Sequence, residues 1–271
     1  MFGAHDAHVR RTCDAIAKVV ATPPFRGRGY DELTMLIVCM TPRSGSQYLG
    51  SVLRDNGLGL AHEQFRYTGG SIEKITSKFG LTTFEDFVRN RIDVNITGDG
   101  IFSAKADWMQ FLPLYYLGAY AHYFTGAHYV YLSRRDRLDQ AISRYIATES
   151  RYFHTTYTEH RQAVKDVPFS LDGINMHLSH ILSLENAWEQ FFSSEDIRPL
   201  RIYYEDLEAD PASVLADIFA HLGREAPPAP VVETEFRIVR TEKNRRFRDL
   251  FQRARQSDRS GFTLGYTQPA P

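Results

Sequence analysis

A chain of 271 residues, 43% hydrophobic and 13% aromatic, is long and apolar enough to fold as one large domain with a sizeable core. A formal net charge of -1 gives no overall field toward nucleic acid or an acidic membrane, and no run approaches the roughly 18 apolar residues of a membrane span. Two cysteines, Cys13 and Cys39, specify no disulfide, and Met1 to Val20 lacks the apolar core of a signal peptide, so a reducing, cytoplasmic setting is expected.

Apolar residues near helical spacing (Val9, Cys13, Ile16, Val19, Val20) predict a helix over 8–21, stopped by Thr22-Pro23-Pro24. With the lead-in from Phe25 to Asp31, residues 1–33 precede a core of 34–260. Leu36 to Met40 is a continuous apolar run, as in a buried parallel strand, and Gln47 to Asp55 is a helix. Residues 61–83 read as loop with a short helix, after which Thr83 and Asp86 have the spacing of a helix cap. Ile101 to Ala106 is a strand. Asp107 to Tyr120 is an apolar helix that Pro113 should bend or delay. The strand His128 to Ser133 leads to a helix over 138–148, and the longest helix covers 171–193. Leu200 to Tyr204 is a strand, and Asp210-Pro211 starts a helix that Gly223 stops. Residues 267–271 read as a flexible tail. Strands alternating with helices predict an α/β fold, a central parallel sheet with helices on both faces, as a single domain over 1–271.

Thr41-Pro42-Arg43-Ser44-Gly45-Ser46-Gln47 connects the first strand to its helix. Helix N-termini present unpaired N–H groups that attract anions. Arg43, Ser44 and Ser46 add side-chain donors, and Gly45 permits a tight turn. The nucleotide-kinase loop G-x-x-x-x-G-K-[ST] would need Gly and Lys where this chain has Met40 and Ser46. A second anchor follows the strand ending at Ser133. Arg134 and Arg135 stand at the carboxyl end of a strand, where open α/β sheets bind ligands, and Ser143 lies on the next helix. Arginine forks match phosphate oxygens with two hydrogen bonds.

Together these segments resemble the sulfotransferases, which move SO₃ from 3′-phosphoadenosine 5′-phosphosulfate (PAPS). The chain is most similar to bacterial carbohydrate sulfotransferases of the trehalose-sulfotransferase and Nod-factor types, whose P-R-[ST]-G-[ST]-x-Y-L loop is similar to Pro42 through Leu49. Gly57 through Phe65, Lys105-Ala106-Asp107-Trp108, Arg134 through Ser143, and Tyr203-Tyr204-Glu205-Asp206-Leu207 with Asp210-Pro211 extend the likeness over roughly residues 34–250. The resemblance implies a P-loop-like sulfotransferase fold and a PAPS site in which Arg43, Ser44, Gly45, Ser46 and Gln47 hold the sulfate end. It implies that an arginine and Ser143 hold the 3′-phosphate. Arg134 is preferred because it directly follows the strand, with Arg135 in reserve. Arg245 and Arg246 fall where the family places a late loop over the same phosphate, in a basic stretch, Arg237 to Arg259, of nine Arg/Lys against three acids.

Transfer to a hydroxyl needs a base. The family comparison implies Glu63 if one residue is deleted after Gly57; an ungapped comparison would place Gln64 there, and His62 is the neighbouring alternative. The loop N–H groups, Arg43 and Ser46 would stabilise the leaving oxygen, as preorganised positive charge does, and Lys105, a further catalytic candidate after its strand, would face donor or acceptor. Trp108 is the aromatic expected to stack on a sugar, with Glu63 and His62 beside the acceptor, and Tyr152, Phe153 and His154 near it. Sulfuryl transfer needs no metal, and the ten histidines show no zinc-like spacing. The expected partners are a carbohydrate or glycolipid acceptor and no nucleic acid; a homo-oligomer is compatible with the sequence. Two rivals remain open: a Mg²⁺-dependent phosphoryl transferase of related fold, and a nucleotide-binding module without chemistry.

Overall fold

The computed structural model describes residues 6–151, 161–234 and 242–261. Tyr152, Phe153, His154 and the tail 267–271 lie outside the described residues. The elements run α1 (Asp6–Ala17), β1 (Thr34–Met40), α2 (Ser46–Asp55), α3 (Ser71–Phe79), α4 (Phe84–Asp93), β2 (Ile101–Asp107), α5 (Trp108–Tyr116) and β3 (His128–Ser133). They continue with α6 (Arg137–Ser150), α7 (Arg161–Asp166), α8 (Leu171–Ser194), β4 (Leu200–Tyr203), α9 (Tyr204–Ala209), α10 (Pro211–His221) and α11 (Glu242–Gly261).

The four strands form one parallel sheet in the order β2-β1-β3-β4. Parallel neighbours require crossovers, which the intervening helices supply. The sheet has helices on both faces, as expected of an α/β fold. Successive strand residues point to opposite faces, and the two cores follow that alternation. Met35, Ile37, Cys39, Phe102, Ala104, Tyr129 and Tyr131 pack with α1, α4, α5 and the Leu184–Phe192 stretch of α8. Leu36, Val38, Met40, Ile101, Val130, Leu132 and Ile202 pack with α2, α9 and α10.

Chain order departs from sheet order between β1 and β3: β2 lies on one side of β1, while β3 and β4 lie on the other. Such a switch point opens a crevice at the carboxyl ends of its two strands. Here those ends are Met40 and Ser133, so the loop 41–45 and Arg134 face each other across it.

Contacts divide the described residues into two compact units, Met1–Arg135 with Leu182–Arg237, and Asp136–Ile181 with Ile238–Pro271. The first contains the sheet. The second has its own apolar core of Ala141, Ile142, Tyr145 and Ile146 on α6, Ile174 and Ile181 on α8, and Phe247 and Phe251 on α11.

Boundaries differ from the sequence reading in three informative places. The apolar helix expected over 107–120 ends at Tyr116, because Gly118 takes a left-handed φ of 92°; a π-helical turn, Tyr120–Phe124, follows. Tyr204 opens α9 instead of ending β4. The basic stretch expected to form a late loop is helical from Glu242, with Phe247 and Phe251 at i,i+4 spacing facing inward and no glycine before Gly261. At Thr83 the expected cap forms. Its hydroxyl accepts from Asp86 N–H at 3.0 Å, and the Asp86 carboxylate accepts from Thr83 N–H at 3.0 Å.

Candidate active site

The loop after β1 is shaped by two residues in left-handed conformations. Arg43 has φ 67°, and Gly45, the N-cap of α2, has φ 91°. A side chain at 45 would also collide with the Tyr204 ring, since a Cβ there would lie 2.4 Å from it. The loop thus rests on Tyr204 while the first N–H groups of α2, from Ser46 onward, remain for a ligand. Ser44 is fully buried and its Oγ finds no hydrogen-bond partner among the described residues. A stranded buried hydroxyl is costly, and an anionic oxygen is the kind of acceptor that would satisfy it. The Tyr48 hydroxyl donates to the Val232 carbonyl at 2.9 Å, fixing α2 against residues 231–234.

Arg134 comes from the end of β3, as the strand reading implied. It is buried, at 7% exposure, with its guanidinium 4.2 Å from the centre of the Tyr204 ring and Nη1 donating to the Arg43 carbonyl at 3.3 Å. Tyr204 therefore carries both the loop and the arginine. Arg43 itself stays open to solvent, but protein packed around its guanidinium, and then the Arg134 charge, push its pKa down. The nearby Tyr204 phenol acts the other way. Two cations held this close favour a shared anion between them.

Arg135 turns away from this cradle. It forms a two-pronged ion pair with Asp206, both bonds 2.7 Å, and lies 4.2 Å over the Tyr203 ring. Its backbone N–H donates to Glu205 at 3.0 Å. Ser143 is half-buried on α6, in the second unit. Arg245 and Arg246 are exposed on α11, also in the second unit, with Arg245 3.5 Å from Glu242.

Lys105 is the unusual charge of the site. Its strand position is opposite Val38, on the α2 side of the sheet. It is 2% exposed, with Nζ 3.5 Å from the Ser46 carbonyl in the first turn of α2. Burial lowers its pKa to about 8, against the opposing influence of Glu63. Beside it, the segment 58–64 is pinned to both neighbours. Lys105 N–H donates to the His62 carbonyl at 2.9 Å, and Gly50 of α2 leaves a gap that a Cβ would close to 2.9 Å from the Ala61 carbonyl.

Glu63 is half-buried and accepts a hydrogen bond from the Gln110 amide at 2.8 Å. His62 is exposed, and partial burial of its ring, followed by the Lys105 and Arg54 charges, lowers its pKa. Gln64 is turned inward, its amide donating to the Leu60 carbonyl at 3.1 Å. Lys105, Glu63 and His62 are thus brought together with the loop through Ser46.

Trp108 does not fill the place expected of it. It is completely buried, with its ring 5.0 Å from Trp188 and 5.8 Å from Phe191. The first residue of α5 points into the core because Asp107, its N-cap, already ends β2. The reading of Trp108 as a sugar platform is therefore corrected to core packing. Gln110 and Tyr204 are the residues whose roles the sequence reading missed. Asp107-x-x-Gln110 carried a visible signal, the spacing of a capping box.

Helix N–H groups and two arginines at the switch point of a parallel sheet, with a buried lysine and a carboxylate alongside, have the chemistry to hold an anionic group beside a base. Residues 120–256, half of the chain, match the family described as Stf0 sulphotransferase. The chain belongs to that family and is a sulfotransferase. No curated protein matches it. Among solved structures it is similar to a sulfotransferase from Alicyclobacillus acidocaldarius, with 16% identity and a TM-score of 0.46 over 84% of this chain and 93% of that one. It is also similar to mouse sulfotransferase SULT7A1 complexed with PAP (15%, TM-score 0.39, 86% and 89% covered). A third likeness is to the sulfotransferase domain of the Synechococcus PCC 7002 olefin synthase (14%, TM-score 0.37, 86% and 98%). No helix among the described residues is long and apolar enough to cross a membrane.

Proposed function

We propose that the protein transfers the sulfuryl group of PAPS to a hydroxyl of a carbohydrate or glycolipid. The observation that supports this most is the Tyr204 platform, which holds Gly45 of the loop and the Arg134 guanidinium on one ring. In this reading the N–H groups of α2, Arg43 and Ser46 hold the 5′-phosphosulfate, and Arg134 holds the 3′-phosphate. Arg135 is committed to Asp206 and is the weaker candidate.

Glu63 takes the acceptor proton as the acceptor oxygen bonds to sulfur. The bond between sulfur and the bridging oxygen breaks, and adenosine 3′,5′-bisphosphate leaves. Arg43 and Lys105 stabilise the charge developing on that oxygen. Because Lys105 titrates near 8, it is largely protonated at neutral pH and available for this role. The sulfuryl group carries less charge than a phosphoryl group, so no step calls for a metal.

The experiment is transfer of labelled sulfate from PAPS to a panel of trehalose, glucose and chitotetraose, alongside calorimetric titration with adenosine 3′,5′-bisphosphate. Transfer to at least one sugar, lost by roughly 10²–10⁴-fold in Glu63→Gln with bisphosphate binding intact, is the expected result. Binding of Mg²⁺–ATP without binding of the bisphosphate would sink the donor assignment. Tight bisphosphate binding with no transfer to any sugar would sink the acceptor assignment.

A further inference from the structure

Gln110, the third residue of α5, divides its side-chain amide between two partners. Its Oε1 accepts from the Asp107 N–H at 3.2 Å, while the Asp107 carboxylate accepts from the Gln110 N–H at 2.9 Å. This reciprocal box satisfies two donors at the helix start and fixes the amide's orientation. Its Nε2 is thereby aimed at Glu63, donating to Oε2 at 2.8 Å. The contact joins residues 47 apart in sequence and ties the Glu63 bend to a helix whose first residue, Trp108, is fully buried. Glu63 Oε1 takes no hydrogen bond among the described residues.

We propose that Gln110 is a positioning residue for the transfer reaction: it holds Oε2 of Glu63 so that Oε1 is presented to the acceptor hydroxyl. The proposal rests on Glu63 being the base. A carboxylate on a loop samples several rotamers, and one fixed oxygen removes most of that freedom before the reaction begins. The neutral amide is suited to the task, since it orients the carboxylate by a hydrogen bond without adding a charge beside it. The charged groups around Glu63 are Lys105 on β2 and His62 on its own segment; Asp107, the last residue of β2 and N-cap of α5, sits behind the amide.

Gln110→Glu separates positioning from capping. The new carboxylate can still accept from the Asp107 N–H, so the box is kept, but the donor to Glu63 becomes a like charge. In PAPS-dependent transfer to the sugar of the panel that turns over fastest, kcat should fall about 10–100-fold. The KM for PAPS should stay near wild type, and the acidic limb of the kcat–pH profile should move to higher pH. Gln110→Met, which removes the donor without adding charge, should move that limb the same way by less, and the limb is independent of how much enzyme is folded. Wild-type kcat and pH profile in both variants, with Glu63→Gln still inactive, would overturn the positioning role and leave the base assignment standing. Full turnover in Glu63→Gln would overturn the base assignment and this inference with it.

Discussion

Arg134 reaches across the switch point to the backbone of Arg43, its Nη1 3.3 Å from that carbonyl, so the arginine after β3 braces the loop after β1. The brace brings two guanidinium groups together with Tyr204 behind them.

Arg134→Ala should weaken adenosine 3′,5′-bisphosphate binding by about 10–100-fold, the loss expected for charge-assisted hydrogen bonds of roughly 1.5–3 kcal/mol. Arg135→Ala should change it by less than about 3-fold, because the exposed pair with Asp206 contributes little. Calorimetric titration of both variants checks the assignment; equal losses would contradict it.

Lys105 supplies a pH signature. Its folded pKa, about 8, lies below the ordinary 10.5, so between these values the unfolded chain binds more protons and stability rises with pH. Below about 8 the cost of the buried ammonium is present in full. Lys105→Met should therefore raise stability by about 1–3 kcal/mol at pH 7, with the gain shrinking as the pH passes from 8 toward 10.5. Sulfate transfer should fall. Denaturant melts across that range, paired with transfer assays, read both effects.

Gly45→Ala combines backbone strain with a clash against the Tyr204 ring and should cost more than about 1–3 kcal/mol. Gly80→Ala, at φ 65° with open space around it, should cost about 1 kcal/mol. Only the Gly45 change should also abolish bisphosphate binding, read by calorimetry on the folded fraction.

Trp108→Phe should lower stability by about 1–3 kcal/mol through lost packing against Trp188 and Phe191. The KM for the best sugar acceptor should stay unchanged. A large rise in KM without a change in melting temperature would restore a contact with the sugar.

Much of this architecture is legible from residue patterns. Leu36 to Met40 reads as a buried strand because both of its faces are covered, and Thr83 with Asp86 reads as a cap because the motif is local. The end of β4 is less legible, since Tyr204 suits a strand by propensity and becomes helical where it underlies Gly45 and Arg134. Trp108 misleads for a related reason: an aromatic after a strand looks available until the strand and helix are found to meet without a loop. Arg134 and Arg135 have equal chemistry in sequence, and only Asp206, 71 positions away from Arg135, separates them.

That loopless junction has an evolutionary consequence. Asp107 pairs with Met40 as the last residue of β2 and caps α5, leaving no slack between sheet and helix. One inserted residue would rotate the helix face by about 100°, carrying Gln110 away from Glu63. Diversification of the acceptor is therefore expected to proceed by exchanging segments elsewhere, while this corner tolerates substitution but no change of length.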